Sequence, residues 1–244
     1  MPSKFSQQLP TAFLRWWKEQ AGQKGAAGAS SLLARELWDF LRDSTPARSR
    51  QRYGDMEYDW EHRVNTTSGT VGWRERLLGV FLSAYQPTEP AAFREMMAAL
   101  PIEFEQFTFV DLGSGKGRTL LLASEYPFQR IVGVEILPEL HRAAEENICA
   151  FRESTGRGGQ IEAVLADACE YDLPETPLVV YLFNPLLEAG LRRVMGRLTK
   201  SLRKAPRPLW IVYHNPVLDA VVSESRMLEP AGRAGQYTLY RTKA

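Results

Sequence analysis

The sequence predicts an α/β fold: a mostly parallel seven-stranded sheet with helices on both faces, a C-terminal antiparallel hairpin, and a helical extension ahead of it. Three observations carry that prediction. Apolar runs the length of buried strands recur from Phe107 onward, as FTFVDL, RIVGVEI, IEAVLAD, PLVVYLF and PLWIVYH. Amphipathic segments with helical spacing lie between several of them, which is the pattern of a sheet covered on both sides. The tail breaks the alternation, with Arg226–Glu229 and Gln236–Arg241 flanking AGRAG as a hairpin.

Taken in order, Leu9, Phe13, Trp16 and Trp17 recur at helical spacing between Leu9 and Gln20. The Gly/Ala-rich stretch Ala21–Ala29 is expected to break that helix. Ser30 or Ser31 then caps a second one, with Leu33, Leu37, Phe40 and Leu41 on one face. Pro46 follows, in a loop whose Arg42, Arg48, Arg50 and Arg52 read as a solvated charge cluster. Residues 53–90 mix aromatics, charges and glycine, and end in a helix near Trp73–Tyr85. Residues 1–84 are therefore read as an N-terminal helical cap or extension, and 85–244 as the α/β domain. Trp16, Trp17, Trp38 and Trp60 are expected to pack the cap. Tyr53, Tyr58, Asp59, Trp60 and Thr66 stand where an appended lid would meet a substrate.

Within the α/β domain, the helix Thr119–Tyr126 is stopped by Pro127. The next starts at Pro138 and places Leu140, Ala144, Ile148 and Phe151 on one side. Leu186–Leu202 repeats the pattern with Leu187, Leu191, Val194, Leu198 and Leu202.

The 244 residues suffice for one such domain with an appendage. With 44% hydrophobic and 24% charged residues the chain can bury a sizeable core, which argues against wholesale disorder. A formal net charge of +1 supplies no strong field toward nucleic acid or an anionic membrane, so neither is the expected partner. No run approaches the ~18 apolar residues of a membrane span. Arg15, Lys18 and Glu19 interrupt the N-terminal apolar residues where a secretory signal needs an unbroken stretch. A cytoplasmic location is the expectation. Cys149 and Cys169 are too few and too far apart for a zinc knuckle or a redox pair, and read as small core residues.

The chemistry concentrates in VDLGSGKGRTLLLAS. A buried strand ends at Asp111, and Gly113, Ser114, Gly115, Lys116 and Gly117 make the turn into a helix. Glycines there let the backbone approach a ligand closely and adopt torsions closed to other residues. The helix start behind them offers N–H groups and positive potential. Spacing then separates two ligand classes. A dinucleotide fingerprint, G-x-G-x-x-G/A counted from Gly113, needs a small residue where Arg118 stands. The chain instead reads G-x-G-x-G with Asp111 ahead of it. An acid together with exposed N–H groups suits the ammonium and carboxylate of a methionine moiety better than it suits a pyrophosphate.

Three further positions fall where such a ligand needs them. Glu135 ends the second strand, 22 positions after Gly113, where a carboxylate can accept both hydroxyls of a ribose; a surface charge at a strand end is the alternative. Asp167-Ala168 ends the third run, in reach of an adenine amino group, unless Asp167 is a helix cap. Asn184-Pro185 follows the fourth strand across the crevice, where a proline at an ordinary helix start explains it nearly as well.

Asp111–Gly117, Glu135, Asp167 and Asn184 together resemble the successive cofactor and active-site motifs of class I S-adenosylmethionine-dependent methyltransferases, a Rossmann-like fold closed by an antiparallel hairpin. The resemblance covers about residues 85–244 and identifies them as an S-adenosylmethionine-binding methyltransferase domain. DLGSGKGR followed by GVEI-x-PEL is similar to lysine methyltransferases, both the nucleosomal seven-strand enzymes and the ATP-synthase c-subunit enzymes. Tyr85-Gln86-Pro87-Thr88 resembles a Y-x-P-T segment that in such proteins lies over the methionine end of the cofactor. The resemblance implies S-adenosyl-L-methionine as cofactor, held by Tyr85, Thr88, Asp111, Gly113, Ser114, Gly115, Gly117, Glu135, Ile136, Asp167, Ala168 and Asn184. It places Asn184 and Pro185 at the reacting centre, with a protein lysine or a small molecule as methyl acceptor.

One departure narrows the acceptor. Enzymes of this class that methylate planar exocyclic amines often carry [N/D]PP[YF], whose aromatic stacks on the substrate. Here the chain reads Asn184-Pro185-Leu186-Leu187, and Phe183 lies on the other side of the asparagine. Adenine or glutamine methylation is therefore not implied. Transfer from a sulfonium needs a positioned, neutral nucleophile rather than a metal or a covalent catalyst. His62, His141 and His214 are scattered; His141 falls on the charged side of a helix, whereas His214, in YHNP at the end of the fifth strand run, is a candidate proton acceptor or substrate contact. Two alternatives to a methyltransferase stand: a dinucleotide binder, opposed by Arg118, and a non-catalytic protein on this fold, opposed by the Asp111, glycine and Glu135 set.

Overall fold

The computed structural model describes residues 4–43, 56–67, 86–184 and 186–243. The expected helix near Trp73–Tyr85, Tyr53, and the arginines at 48, 50 and 52 lie outside the described residues. The chain divides into two compact units, Met1–Met56 with Thr67–Gln86, and Glu57–Thr66 with Pro87–Ala244.

In the first unit, helix α1 spans Lys4–Asp43, with non-helical torsions at Gly25 (φ 71°). The break expected over Ala21–Ala29 falls at Gly25, where two helices meet across a kink. Four alanines in that stretch favour helix strongly enough to offset the other glycines. Ser30 does not cap a second helix; its hydroxyl donates back to the Ala26 carbonyl at 2.9 Å. Trp16 and Ala29 are buried, and Phe13, Trp16 and Trp17 sit within aromatic contact of one another along the helix. Trp38 and Trp60 are exposed, so the expectation that all four tryptophans pack a cap fails for these two.

Helix α2 (Met56–His62) leads into the second unit. There follow α3 (Pro90–Ala98), β1 (Thr108–Leu112), α4 (Arg118–Ala123), β2 (Arg130–Glu135), α5 (Pro138–Thr155), β3 (Ile161–Leu165) and β4 (Leu178–Phe183). The chain continues through α6 (Glu188–Lys204), β5 (Leu209–His214), α7 (Asp219–Ser223), β6 (Leu228–Ala234) and β7 (Tyr237–Thr242). The strands form one seven-stranded sheet in the order β3-β2-β1-β4-β5-β7-β6. β3, β2, β1, β4 and β5 pair in parallel, and β7 runs antiparallel to both its neighbours. This is the architecture expected from the sequence, and the strand order reverses between β1 and β4.

Alternation along the strands divides the core into two layers. Val179 and Tyr181 of β4 face a cluster with Phe93 and Met96 of α3, Leu120–Leu122 of α4 and Ile148 and Phe151 of α5. Leu178, Val180 and Leu182 face Leu191, Val194, Leu198 and Leu202 of α6 and Val221 and Val222 of α7. Each such fully buried side chain contributes roughly 1.5–3 kcal/mol. The helix punctuation follows local chemistry: Pro138 opens α5, and Gly156 (φ 69°) closes it in the left-handed conformation. Arg203 and Lys204 end α6 against its dipole.

Two expectations need correction. AGRAG is not the hairpin turn: β6 runs through Ala234, a bulge between Pro230 and Gly232 absorbs the proline that cannot donate to the ladder, and Gly235 (φ 44°) makes the reversal. Cys169 is buried, but Cys149 is exposed on α5, its Sγ 3.7 Å from Glu153 Oε1. No described helix is long and apolar enough to cross a membrane.

Candidate functional site

In an open α/β sheet, ligands sit outside the carboxyl ends of the strands where the strand order reverses. Here that place is the crevice between the ends of β1 and β4, with Asp111 near the end of β1, Asn184 after β4 and Glu135 at the end of the neighbouring β2. β1 delivers Asp111, and the loop after it takes left-handed torsions at Gly113 (φ 95°), Gly115 (φ 54°) and Gly117 (φ 82°). The loop lies against the end of β2 because residue 133 is glycine. A Cβ there would meet Ser114 Oγ at 2.7 Å and Leu120 Cδ1 at 2.5 Å. Sequence reading passed over Gly133, since a lone glycine inside a strand carries no signal of what approaches it.

The loop differs from the expectation in one chemical respect. Four of its N–H groups are engaged within the protein. Gly113 N and Ser114 N donate to Val134 O at 2.8 and 3.1 Å, Gly117 N to Ser114 O at 2.8 Å, and Gly115 N to Glu135 Oε2 at 2.9 Å. With these donors engaged, what remains is acidic. Asp111 and Glu135 are both buried. Burial, with the Glu135 charge adding to it, pushes the Asp111 carboxyl up to about 7 against a hydrogen bond from the Thr119 hydroxyl. Burial likewise raises Glu135, opposed by the N–H groups of Leu137, Gly115 and Ile136. Leu137 N lies 2.7 Å from its Oε1. Ser114 Oγ is buried with no hydrogen-bond partner among the described residues. Two buried carboxylates and an orphan hydroxyl fit a ligand with positive charge and hydroxyl groups, and repel a pyrophosphate.

The other predicted positions divide. Ile136 is exposed directly after Glu135, and Leu165, paired opposite Glu135 on β3, is exposed beside it. Asp167 accepts the Cys169 N–H at 2.8 Å within a turn, the described residues between β3 and β4 hold no helix for it to cap, and Ala168 is half-buried against the second core layer. Asn184 ends β4 with φ 44°, and Tyr213 Oη lies 3.2 Å from its Oδ1. Thr88 is buried with its Oγ1 2.8 Å from Tyr181 Oη. Tyr85 and Pro185 lie outside the described residues.

His214 is brought to the crevice edge but is enclosed. Its Nδ1 lies 2.8 Å from Tyr181 Oη, its ring stacks on Phe183 with centroids 4.1 Å apart, and burial lowers its pKa against a hydrogen bond with Gln236. That setting favours a neutral ring held between two partners over a proton acceptor. His141 is half-buried with Nε2 3.5 Å from Glu145.

Sequence reading missed the network behind the loop. Asn147 of α5 grips three backbone groups: its Oδ1 accepts Asn65 N at 2.7 Å, and its Nδ2 donates to Asn65 O at 3.1 Å and to Lys116 O at 3.0 Å. Lys116 Nζ lies 3.4 Å from Asn65 Oδ1, and burial pulls its pKa down to about 8. Arg118 Nη2 donates to Asp59 Oδ1 at 3.0 Å and Nε to Thr66 Oγ1 at 2.6 Å. Asp59 and Thr66, placed at a substrate lid by sequence position, are thus occupied in binding Arg118. Tyr58 is buried beneath the same guanidinium.

No family model and no curated protein matches the chain. Solved structures resemble it over about two thirds of its length. One is an RNA methyltransferase from Salinibacter ruber in complex with S-adenosyl-L-homocysteine, 24% identical over 64% of this chain and 92% of that one, TM-score 0.44. Another is a precorrin-6y C5,15-methyltransferase from Geobacter metallireducens, 18% identical over 64% and 89%, TM-score 0.47. A third is a DNA methylase from Listeria monocytogenes whose N6-adenine specificity is itself a prediction, 13% identical over 64% and 51%, TM-score 0.49. Likeness at this level assigns no residue a role.

Proposed function

We propose that residues 85–244 form an S-adenosylmethionine-dependent methyltransferase domain, with residues 1–84 as its extension. The observation that carries this reading is the pair of buried acids, Asp111 and Glu135, on neighbouring strand ends, joined by a left-handed glycine loop in which the N–H groups of Gly113, Ser114, Gly115 and Gly117 are engaged. A dinucleotide would bring its pyrophosphate to that acidic pocket. S-adenosylmethionine brings an ammonium, a sulfonium and two ribose hydroxyls instead.

Bound there, the cofactor supplies a methyl group activated by the sulfonium. The chain's part is placement. Asp111 faces positive charge with a carboxylate, Glu135 has acceptor capacity left for a hydroxyl donor after taking three backbone N–H groups, and Ser114 Oγ gains a partner. Asn184, turned by its left-handed torsion after β4, orients the acceptor nucleophile together with Pro185, the next residue in sequence. Because no aromatic follows Asn184-Pro185, an aliphatic amine is favoured over a planar base, with a protein lysine ahead of a small-molecule amine.

Calorimetry with S-adenosylhomocysteine and with NADH tests the cofactor, and incubation of extract with radiolabelled S-adenosylmethionine tests the transfer. Binding of the first ligand alone and label that protease removes are expected. Binding of NADH alone sinks the reading. Label removed by nuclease moves the acceptor to nucleic acid.

A further inference from the structure

At the opposite end of the sheet from the glycine loop, three separate stretches of sequence bring cations together. Arg207, Arg226, Arg241 and Lys243 line a depression of about 590 Å³ in which Glu229 is the one acid. It lies where β5 begins and β7 ends, about 20 Å from the crevice at ~3.3 Å per strand residue. Glu229 is paired with Arg241 at 2.8 Å and neutralises one of the four cations, which still leaves a strong local excess in a chain of net charge +1.

The walls are held in place. Lys243 N donates to Met227 O at 3.1 Å, and Leu209 N to Thr242 Oγ1 at 3.2 Å. Arg207 is fixed by its Nη groups, which donate to Ala205 O at 2.8 Å and Ser201 Oγ at 2.9 Å. Its Nε is buried with no hydrogen-bond partner among the described residues. That N–H is closed off from solvent, so the contacts to an anion fall to Arg226 and Lys243, both exposed. Leu202, Pro206, Pro208 and Met227 supply an apolar lining beside the cations.

We propose that this depression binds a small phosphate-bearing ligand of nucleotide size. Guanidinium forks match phosphate oxygens in pairs, and several cations need more than one negative charge to meet them. The volume falls among small-molecule sites, roughly 300–1,000 Å³. A single-stranded nucleic acid fits less well, since no lining residue is aromatic and bases find no stacking platform. The proposal does not depend on the reading of the crevice.

The test is calorimetric titration of the full chain with uridine 5′-diphosphate, with uridine and a uridylate 20-mer as comparisons. The diphosphate is expected to bind at sub-millimolar concentration and uridine not at all. Arg226→Ala with Lys243→Ala, at two exposed positions, should weaken the diphosphate by about tenfold or more. Glu229→Gln should tighten it, a gain that a misfolded variant cannot imitate. Absence of binding by the wild-type chain, equal affinity for uridine, or unchanged affinity in both variants overturns the proposal. Preference for the 20-mer over the diphosphate overturns it in favour of a nucleic-acid face.

Discussion

Arg118 and Asp59 form a buried ion pair, Nη2 to Oδ1 at 3.0 Å, between the first residue of α4 and a helix 59 positions earlier in the chain. The guanidinium is 1% exposed, and burial lowers its pKa only to about 10, so it keeps its charge at neutral pH. The pair anchors residues 57–66 behind the glycine loop. Asn147 adds a second anchor by gripping Asn65 and the Lys116 carbonyl.

Removing one partner leaves a charge buried without its counterion. Asp59→Ala should therefore cost about 3–5 kcal/mol in urea unfolding. Adding Arg118→Met should recover most of that loss, because the uncompensated cation goes too. A single variant within about 1 kcal/mol of the wild type would show the pair to be incidental.

Glu135 holds the loop and faces the proposed ribose position at once. Its oxygens accept Gly115 N at 2.9 Å and Leu137 N at 2.7 Å. Glu135→Ala should weaken S-adenosylhomocysteine by about tenfold or more, since a charge-assisted contact contributes roughly 1.5–3 kcal/mol. Glu135→Gln should fall between the two, keeping an acceptor for one N–H. Unchanged calorimetric affinity for the alanine variant removes Glu135 from the site.

The sheet was legible because parallel strands buried on both faces leave continuous apolar runs, and because Pro138 announces α5. Asp111 and Glu135 were legible because each ends such a run. What escaped is made of contacts distant in sequence. Nothing in GKGR says that Arg118 reaches Asp59, and nothing in YHNP says that His214 is closed off by Tyr181. The basic depression escaped for the same reason, its cations being spread from Arg207 to Lys243, while the one cluster visible in sequence lies before Tyr53. The engagement of four loop donors also escaped, because glycine spacing does not reveal that the Val134 carbonyl accepts twice.

Asp111 should make binding pH-dependent. Burial, reinforced by Glu135, raises its pKa to about 7, against about 3.9 in an unfolded chain. Between those values the native state keeps a proton that the unfolded state has lost. Stability from this group is therefore fullest below pH ~4 and declines as pH rises toward about 7. A ligand ammonium favours the carboxylate, so binding should release a proton and tighten as pH rises from about 6 to 8. Calorimetry with S-adenosylhomocysteine in buffers of different ionisation enthalpy reads both effects. Asp111→Asn should abolish the slope, and a wild-type affinity flat across that range would contradict the argument.

Tyr181 Oη sits 2.8 Å from both Thr88 Oγ1 and His214 Nδ1, inside the first core layer. One hydroxyl thereby serves two buried polar groups carried by different segments. Tyr181→Phe keeps the ring and orphans both partners, which should cost about 1–3 kcal/mol. Thr88→Val orphans neither, because Tyr181 retains His214, so its cost should be smaller. The two substitutions should also be non-additive in a double-mutant cycle, as expected of neighbours sharing one bond. The cycle further separates two roles for Thr88, which the resemblance put in contact with the cofactor while its hydroxyl is tied to Tyr181. If the tie is its whole role, Thr88→Val lowers the unfolding midpoint yet leaves S-adenosylhomocysteine affinity within about threefold. A tenfold loss of affinity with unchanged stability would return Thr88 to the ligand.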